Sequence, residues 1–332
     1  MTNNLAIKKP SKEKSTDFLN HGLLIIDIGN DCVKAMYRTP ASKEFDKVIF
    51  PSYVAQVSEG NSDCIQLSND AFYLVGTQAT EVNQSCRTGS DREGKVLNAR
   101  VLMLYSLRLL TGFTIDPLNV DVIFTSPSNK QYGSDITAQL MGSHYVRIPS
   151  DAEVIDSKEH HLSVVVHTAL SQLEGFQASD LVKDSIKDDS AYLLDIGGGT
   201  CLVTKFSKTG RIASRDAFNN KGVYSLAESL RQSEALTKWL PKLPTVDEVT
   251  EFMFTTKDKD AQETIINELK RIIAPVLASI PTGSQVFICG GGGGIKGIAA
   301  IGKPVSKNPQ WANIEAIASH AGKLLANSRG TK

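Results

Sequence analysis

The chain has 332 residues, 41% of them apolar and 22% charged, a balance that excludes a mainly disordered protein and allows two domains with separate cores. Lys plus Arg and Asp plus Glu number 36 each. No global basic field therefore draws the protein to nucleic acid, and any DNA contact would pass through a local patch or a basic partner.

The polar segment Ser11–Asp17 offers little to bury and predicts a mobile tail over residues 1–21. Leu23 to Ile26 then read as a buried strand that ends in the turn Asp27-Ile28-Gly29-Asn30. Val33–Tyr37 predict a second strand, and Val48–Phe50 lead into another. A helix over 91–110 would bury a face of Leu97, Val101, Leu104 and Leu107. Val120 to Phe124 form a strand before Thr125-Ser126-Pro127, and a helix follows near Asp135–Met141. Tyr192, Leu193 and Leu194 make a strand that ends in Asp195-Ile196-Gly197-Gly198-Gly199-Thr200. Cys201–Phe206 continue as a strand, Gly210 turns the chain before Ile212, and Asn220-Lys221-Gly222 open a helix over Val223–Leu230. A helix over Glu263–Leu277 must kink or break at Pro275. Val286-Phe287-Ile288 predict a strand before Cys289 and the glycines 290–294, and Ile314–Leu325 a final helix that returns to the first lobe. Strands alternating with helices make this an α/β protein.

No apolar run is long enough to span a bilayer, and residues 1–20 lack the apolar centre of a signal peptide, so the expected location is cytoplasmic with no membrane partner. Cys32, Cys64, Cys86, Cys201 and Cys289 have neither metal-ligand spacing nor the density of a disulfide scaffold. They read as small buried hydrophobes beside glycine turns.

The near-duplication of Asp27-Ile28-Gly29 and Asp195-Ile196-Gly197, each at the end of a buried strand, carries the chemistry. Glycine lets backbone N–H groups approach phosphate oxygens, while paired carboxylates organise a magnesium ion through water. Two such loops suggest two lobes closing on one nucleotide, with the glycines 290–294 passing close to its base.

These motifs, together with Lys34, Phe50-Pro51-Ser52, Asn220-Lys221-Gly222 and Asn308-Pro309-Gln310-Trp311-Ala312-Asn313, resemble the actin-like ATPase superfamily, which also contains sugar kinases and Hsp70 chaperones. Within it the chain looks most like the plasmid-segregation actins of the ParM type. The resemblance implies an actin-like ATPase fold with two related lobes, the first from residues 22–175 and 312–328 and the second from 176–311, with a short tail at 329–332. It implies ATP or another nucleoside triphosphate with Mg2+ as ligands. Asp27 and Asp195 would serve the metal and the reaction. Gly29, Asn30 and Lys34 would form the first phosphate clamp, Gly197, Gly198, Gly199 and Thr200 the second. Gly291, Gly292 and Gly293 would border adenosine, and Lys221 and Glu228 would reach the base and ribose.

One departure stands out. Plasmid actins place a glutamate at the start of an interlobe helix, where it orients the attacking water; the corresponding stretch here, Val165–Gln172, holds no carboxylate. His167 would replace it as a polarising group, with Gln172 as a weaker water-positioning residue and Glu174 as an offset alternative. The resemblance therefore implies slow hydrolysis coupled to filament assembly, driving plasmid DNA segregation through a DNA-binding adaptor. The alternatives are a small-molecule kinase of the same superfamily and a weakly catalytic nucleotide-binding scaffold.

Overall fold

The structure is a computed structural model that describes residues 20–60, 63–67, 71–82, 86–87, 92–112, 114, 116–148, 160–186, 191–207, 209–240 and 242–329. Nearly all of the expected tail at 1–21, and residues 330–332 of the C-terminal one, lie outside them. The elements run β1 (Gly22–Ile28), β2 (Cys32–Arg38), β3 (Asp46–Pro51), β4 (Tyr53–Val57), β5 (Ile65–Leu67), β6 (Phe72–Val75), α1 (Thr77–Thr80), β7 (Cys86–Arg87), α2 (Arg92–Thr111), β8 (Leu118–Ser126), α3 (Tyr132–Leu140), β9 (Gly142–Ile148) and β10 (His160–Leu173). The second half contributes β11 (Ala191–Ile196), β12 (Thr200–Phe206), β13 (Ile212–Asn219), α4 (Val223–Gln232), α5 (Val246–Thr255), α6 (Lys259–Ile272), α7 (Ala274–Ala278), β14 (Gln285–Cys289), β15 (Lys303–Pro304) and α8 (Ala312–Arg329).

Two sheets organise these elements. Ten strands join in the order β3-β2-β1-β8-β10-β9-β5-β6-β4-β7, and five in the order β13-β12-β11-β14-β15. Each sheet repeats one plan: a three-strand antiparallel meander whose first strand pairs in parallel with a later one, β1 with β8 and β11 with β14. The continuous apolar runs of β1 and β11 follow from this, because both faces are covered. Leu24, Ile26 and Ile28 join the core under α2, whereas Leu23 and Ile25 pack with Ile314 and Ile317 of α8. In β11, Tyr192, Leu194 and Ile196 face the core shared with α4, α5 and α6, while Ala191 and Leu193 face Ala178, Val182 and Ala312.

Several expectations need correction. Val165–Gln172, expected to be helical, lies inside β10, parallel to β8. Leu97 is 71% exposed rather than part of the buried face of α2. It stands two residues, about 200° around a helix, from Lys95, which is 5% exposed; with Lys95 turned inward, Leu97 must face out. The predicted break at Pro275 occurs, with α6 ending at Ile272 and Pro275 in the first turn of α7, where its missing N–H costs nothing. No helix of the described residues is long and apolar enough to cross a membrane.

Candidate active site

Register brings the two aspartates to matching positions. Asp27 pairs with Lys34 across β1 and β2, and Asp195 with Leu202 across β11 and β12. Each sits one residue before the end of its strand, so the turns that follow, Gly29-Asn30-Asp31 and Gly197-Gly198-Gly199, meet in one cleft. A Cβ on Gly198 or Gly199 would fall within 3.0 Å of Asp31 or Asn30, so the second loop approaches the first only because it carries no side chains. The cleft is also lined by Cys32, Lys34, Lys95, Glu174, Gly175, Thr200, Leu202, Val223, Thr250, Phe254, Gly290, Gly291, Gln310 and Asn313.

The first loop is anchored from behind. Ser52, fully buried, donates its hydroxyl to the Asn30 carbonyl at 2.9 Å and its N–H to the Asp31 carbonyl at 2.9 Å, which gives Phe50-Pro51-Ser52 a role as the brace of that turn. The second loop is anchored by α4: the N–H groups of Val223 and Tyr224 donate to the carbonyls of Gly197 and Gly198 at 2.9 and 2.8 Å. The floor comes from Gly290, whose N–H donates to the Pro309 carbonyl at 3.0 Å. This contact brings Gln310 and Asn313 to the cleft.

Charge is unevenly shared. Asp27 accepts from Lys34 Nζ at 3.1 Å on one oxygen and from the Thr125 hydroxyl at 2.5 Å on the other. Burial pushes its carboxyl up, but the Lys34 charge and the two bonds outweigh burial and hold it below its ordinary value. Asp195 is bonded by the Cys289 thiol instead of a lysine. Burial raises it to about 6, with Lys34 opposing and the charges of Asp27 and Glu174 adding to the rise. Burial also raises Cys32, at the cleft, to about 11 and Cys201, in the core behind it, to about 12, so both are neutral thiols rather than nucleophiles.

These facts bear on a magnesium ion. Both Asp27 oxygens are already engaged, so Asp27 would hold the ion through water, whereas Asp195 presents a carboxylate whose charge a cation would relieve. Among the described residues no group of three or more His, Cys, Asp or Glu could hold a metal by itself. Two carboxylates, water and ligand phosphates suit magnesium, which keeps much of its hydration.

Four expected side chains lie elsewhere. His167 sits at a bulge of β10, between Val166 and Thr168, at the level of Gly22 rather than Asp27. That offset of about five residues is ~16 Å along a strand. Its ring Nε2 donates a 2.7 Å bond to Asn119 Oδ1 and the ring stacks on His21 at 3.9 Å. Gln172 donates to its neighbour's carbonyl and accepts from Gln177 at 3.0 Å, away from the cleft lining. Glu228 is bound by Arg231 and Gln232 on the surface of α4. Lys221 makes only a backbone contact near the site, its N–H donating to Gly199 at 3.3 Å, and its side chain does not line the cleft. Of the late glycines, Gly291 lines the cleft, while Gly292 and Gly293 pack against Ile196 and Pro309.

Other residues occupy the ground those four were expected to hold. Glu174 follows β10 directly and lines the cleft, bonded to Lys95. Thr250 and Phe254 of α5 line the cleft, Phe254 lying against Gly294 as Val223 lies against Gly291. Thr125 was visible only as the residue that ends an apolar strand. Lys95 left one signal, a lone lysine in the first turns of a helix, where cations are disfavoured.

Residues 26–172 match the family model for the N terminal domain of actin like proteins. No curated protein sequence matches the chain. Among solved structures, the apo psk41 parM protein is similar, with a TM-score of 0.61 at 16% identity over 93% of this chain and 99% of that one. Ta0583, an archaeal actin homologue, gives 0.62 at 15% identity over 91% and 99%, and it also exists as a complex with ADP. A chain of the Alp12 filament gives 0.59 at 15% identity over 92% and 99%. The chain thus has the two-lobed actin-like fold, and residues 26–172 are the part that matches the actin-like family model.

Proposed function

We propose that the protein binds a magnesium nucleoside triphosphate, ATP in the first instance, between its lobes, hydrolyses it slowly and assembles into filaments while it is bound. The observation that carries this reading is the meeting of two Asp-Ile-Gly loops, on matching strands of two similarly built sheets, across one cleft. The glycine edges suit close approach of phosphate oxygens, and Lys34 supplies a fixed positive charge beside Asp27. Thr250, Phe254, Gly291 and Val223 take the base, in place of Lys221 and Glu228. Glu174 takes the water-orienting role, in place of His167 and Gln172.

The similar structures support assembly and ligand: one is a filament and another holds ADP. A cargo of plasmid DNA, reached through a DNA-binding adaptor, extends the likeness to the parM protein and fits a chain whose Lys plus Arg and Asp plus Glu are both 36. Sedimentation and electron microscopy with magnesium and ATP, ADP or a slowly hydrolysed analogue test the reading. Filaments should appear with the triphosphate and last longest with the analogue. Nucleotide binding without filaments across salt, temperature and concentration would refute assembly, and transfer of phosphate to a small-molecule acceptor would support a kinase instead.

A further inference from the structure

Glu174 is gripped from both lobes. Lys95 Nζ of α2 donates to its Oε1 at 2.5 Å, and Arg215 of β13, in the other sheet, donates through Nη2 to its backbone carbonyl. Its own N–H donates to the Ser126 carbonyl at 3.1 Å, and Gly175 beside it turns at φ +63 against Asp195. The second carboxylate oxygen takes no hydrogen bond among the described residues, and the side chain lines the cleft.

Lys95 is expensive to keep. Its side chain is only 6% exposed, and it lies in the first turns of the 20-residue helix α2. Burying an ammonium costs several kcal/mol unless it is paired, and the positive end of the helix dipole opposes it further. A neutral residue would pack there at lower cost. What the lysine achieves is a fixed rotamer for one carboxylate beside both phosphate loops.

We infer that Lys95 is a positioning residue for nucleotide hydrolysis, holding the Glu174 carboxylate toward the attacking water while Arg215 fixes the backbone from which that side chain springs. The inference rests on the hydrolase reading above. Water attacks the terminal phosphorus as the bond from that phosphorus to the nucleoside diphosphate oxygen breaks. Glu174 accepts the proton leaving the water and returns it to solvent, with nucleoside diphosphate and inorganic phosphate as products. Lys95 touches neither reactant, so its loss acts on the rate through Glu174.

The test uses the full chain and its Lys95→Met, Lys95→Gln and Lys95→Arg variants, each alone and with Glu174→Gln. Single-turnover phosphate release and equilibrium binding of magnesium ATP are measured together. Lys95→Met and Lys95→Gln should each lose at least tenfold in rate with less than threefold change in affinity. Lys95→Arg should recover most of the rate, and none of the three should slow the Glu174→Gln protein further. Loss of affinity at an unchanged rate, or an additive loss on top of Glu174→Gln, would overturn the inference and leave hydrolysis standing. A wild-type protein that binds magnesium ATP without releasing phosphate would overturn the hydrolase reading and this inference with it.

Discussion

Gly175 and Gly290 enclose the Asp195 carboxylate, and alanine at either position tests whether the placement of that carboxylate matters. Gly175 has φ +63, and a Cβ there would fall within 3.0 Å of Asp195 Oδ2. Gly290 has φ +79 and ψ −176, with its Cβ equally close to Oδ1. Gly112 supplies the control, because its φ is +67 but nothing lies within 4 Å of the Cβ position. Alanine at Gly112 should therefore bear only the left-handed backbone cost, about 1–2 kcal/mol. Gly175→Ala bears the same cost, and Gly290→Ala about 1–3 kcal/mol in a region nearly confined to glycine together with a clash of its Cβ against the Ile196 carbonyl within 3.0 Å. Each must in addition push Asp195 aside by on the order of 1 Å, a misplacement that can lower turnover about 100-fold. Thermal unfolding, magnesium-ATP titration and phosphate release on the three variants separate these terms. If Gly175→Ala and Gly290→Ala lose stability as Gly112→Ala does, yet keep wild-type affinity and turnover, the position of Asp195 is irrelevant and the two-loop clamp is wrong.

The remaining predictions follow from the same geometry. Asp27→Ala and Asp195→Ala should both weaken magnesium-dependent ATP binding by calorimetry, while Cys32→Ser leaves it intact. Asp27→Ala alone should also lower the melting temperature, since it strands Lys34, which is 8% exposed, at a cost of about 3–5 kcal/mol. His167→Ala should leave phosphate release unchanged and cost about 1 kcal/mol of stability for the lost bond to Asn119; a slowed chemical step would restore it as a site residue. Phe254→Ala should weaken binding of a fluorescent ATP analogue about tenfold, the worth of one stacked base, while Glu228→Ala should not, and the reverse result would return the base to α4.

The strands bearing the aspartates were legible because central strands covered on both faces read as unbroken apolar runs, and the Asp-Ile-Gly turns that end them stand out against such runs. β10 was not legible, and its bulge is the reason. Leu162, Val164 and Val166 alternate toward the core under α2, but beyond the bulge Ala169 faces that core and Leu170 the opposite one. An extra residue shifts the phase of a two-residue period, so apolar positions 162, 166, 169 and 170 imitate helical spacing. That misreading put His167 on a helix start and drew attention from Glu174 only seven residues on. The far part of the cleft was illegible for another reason. Lys221 and Glu228 came from the family resemblance, whereas Thr250 and Phe254 come from a later helix that only tertiary packing brings to the cleft.

The charge lining the cleft explains why nucleotide and metal would bind as one ligand. Asp27, Asp31, Glu174 and Asp195 face Lys34 and Lys95 there, and Lys95 is already committed to Glu174 as Lys34 is to Asp27. A bare triphosphate would add negative charge to a site whose two lysines are already paired with carboxylates, where burial already works against a charge on Asp195. Magnesium reverses that sign, since a divalent ion at Asp195 offsets the carboxylate and the phosphates together. The glycine edges on both sides would then allow the two loops to approach the same phosphates, so that closing the lobes would depend on the ligand that neutralises the space between them.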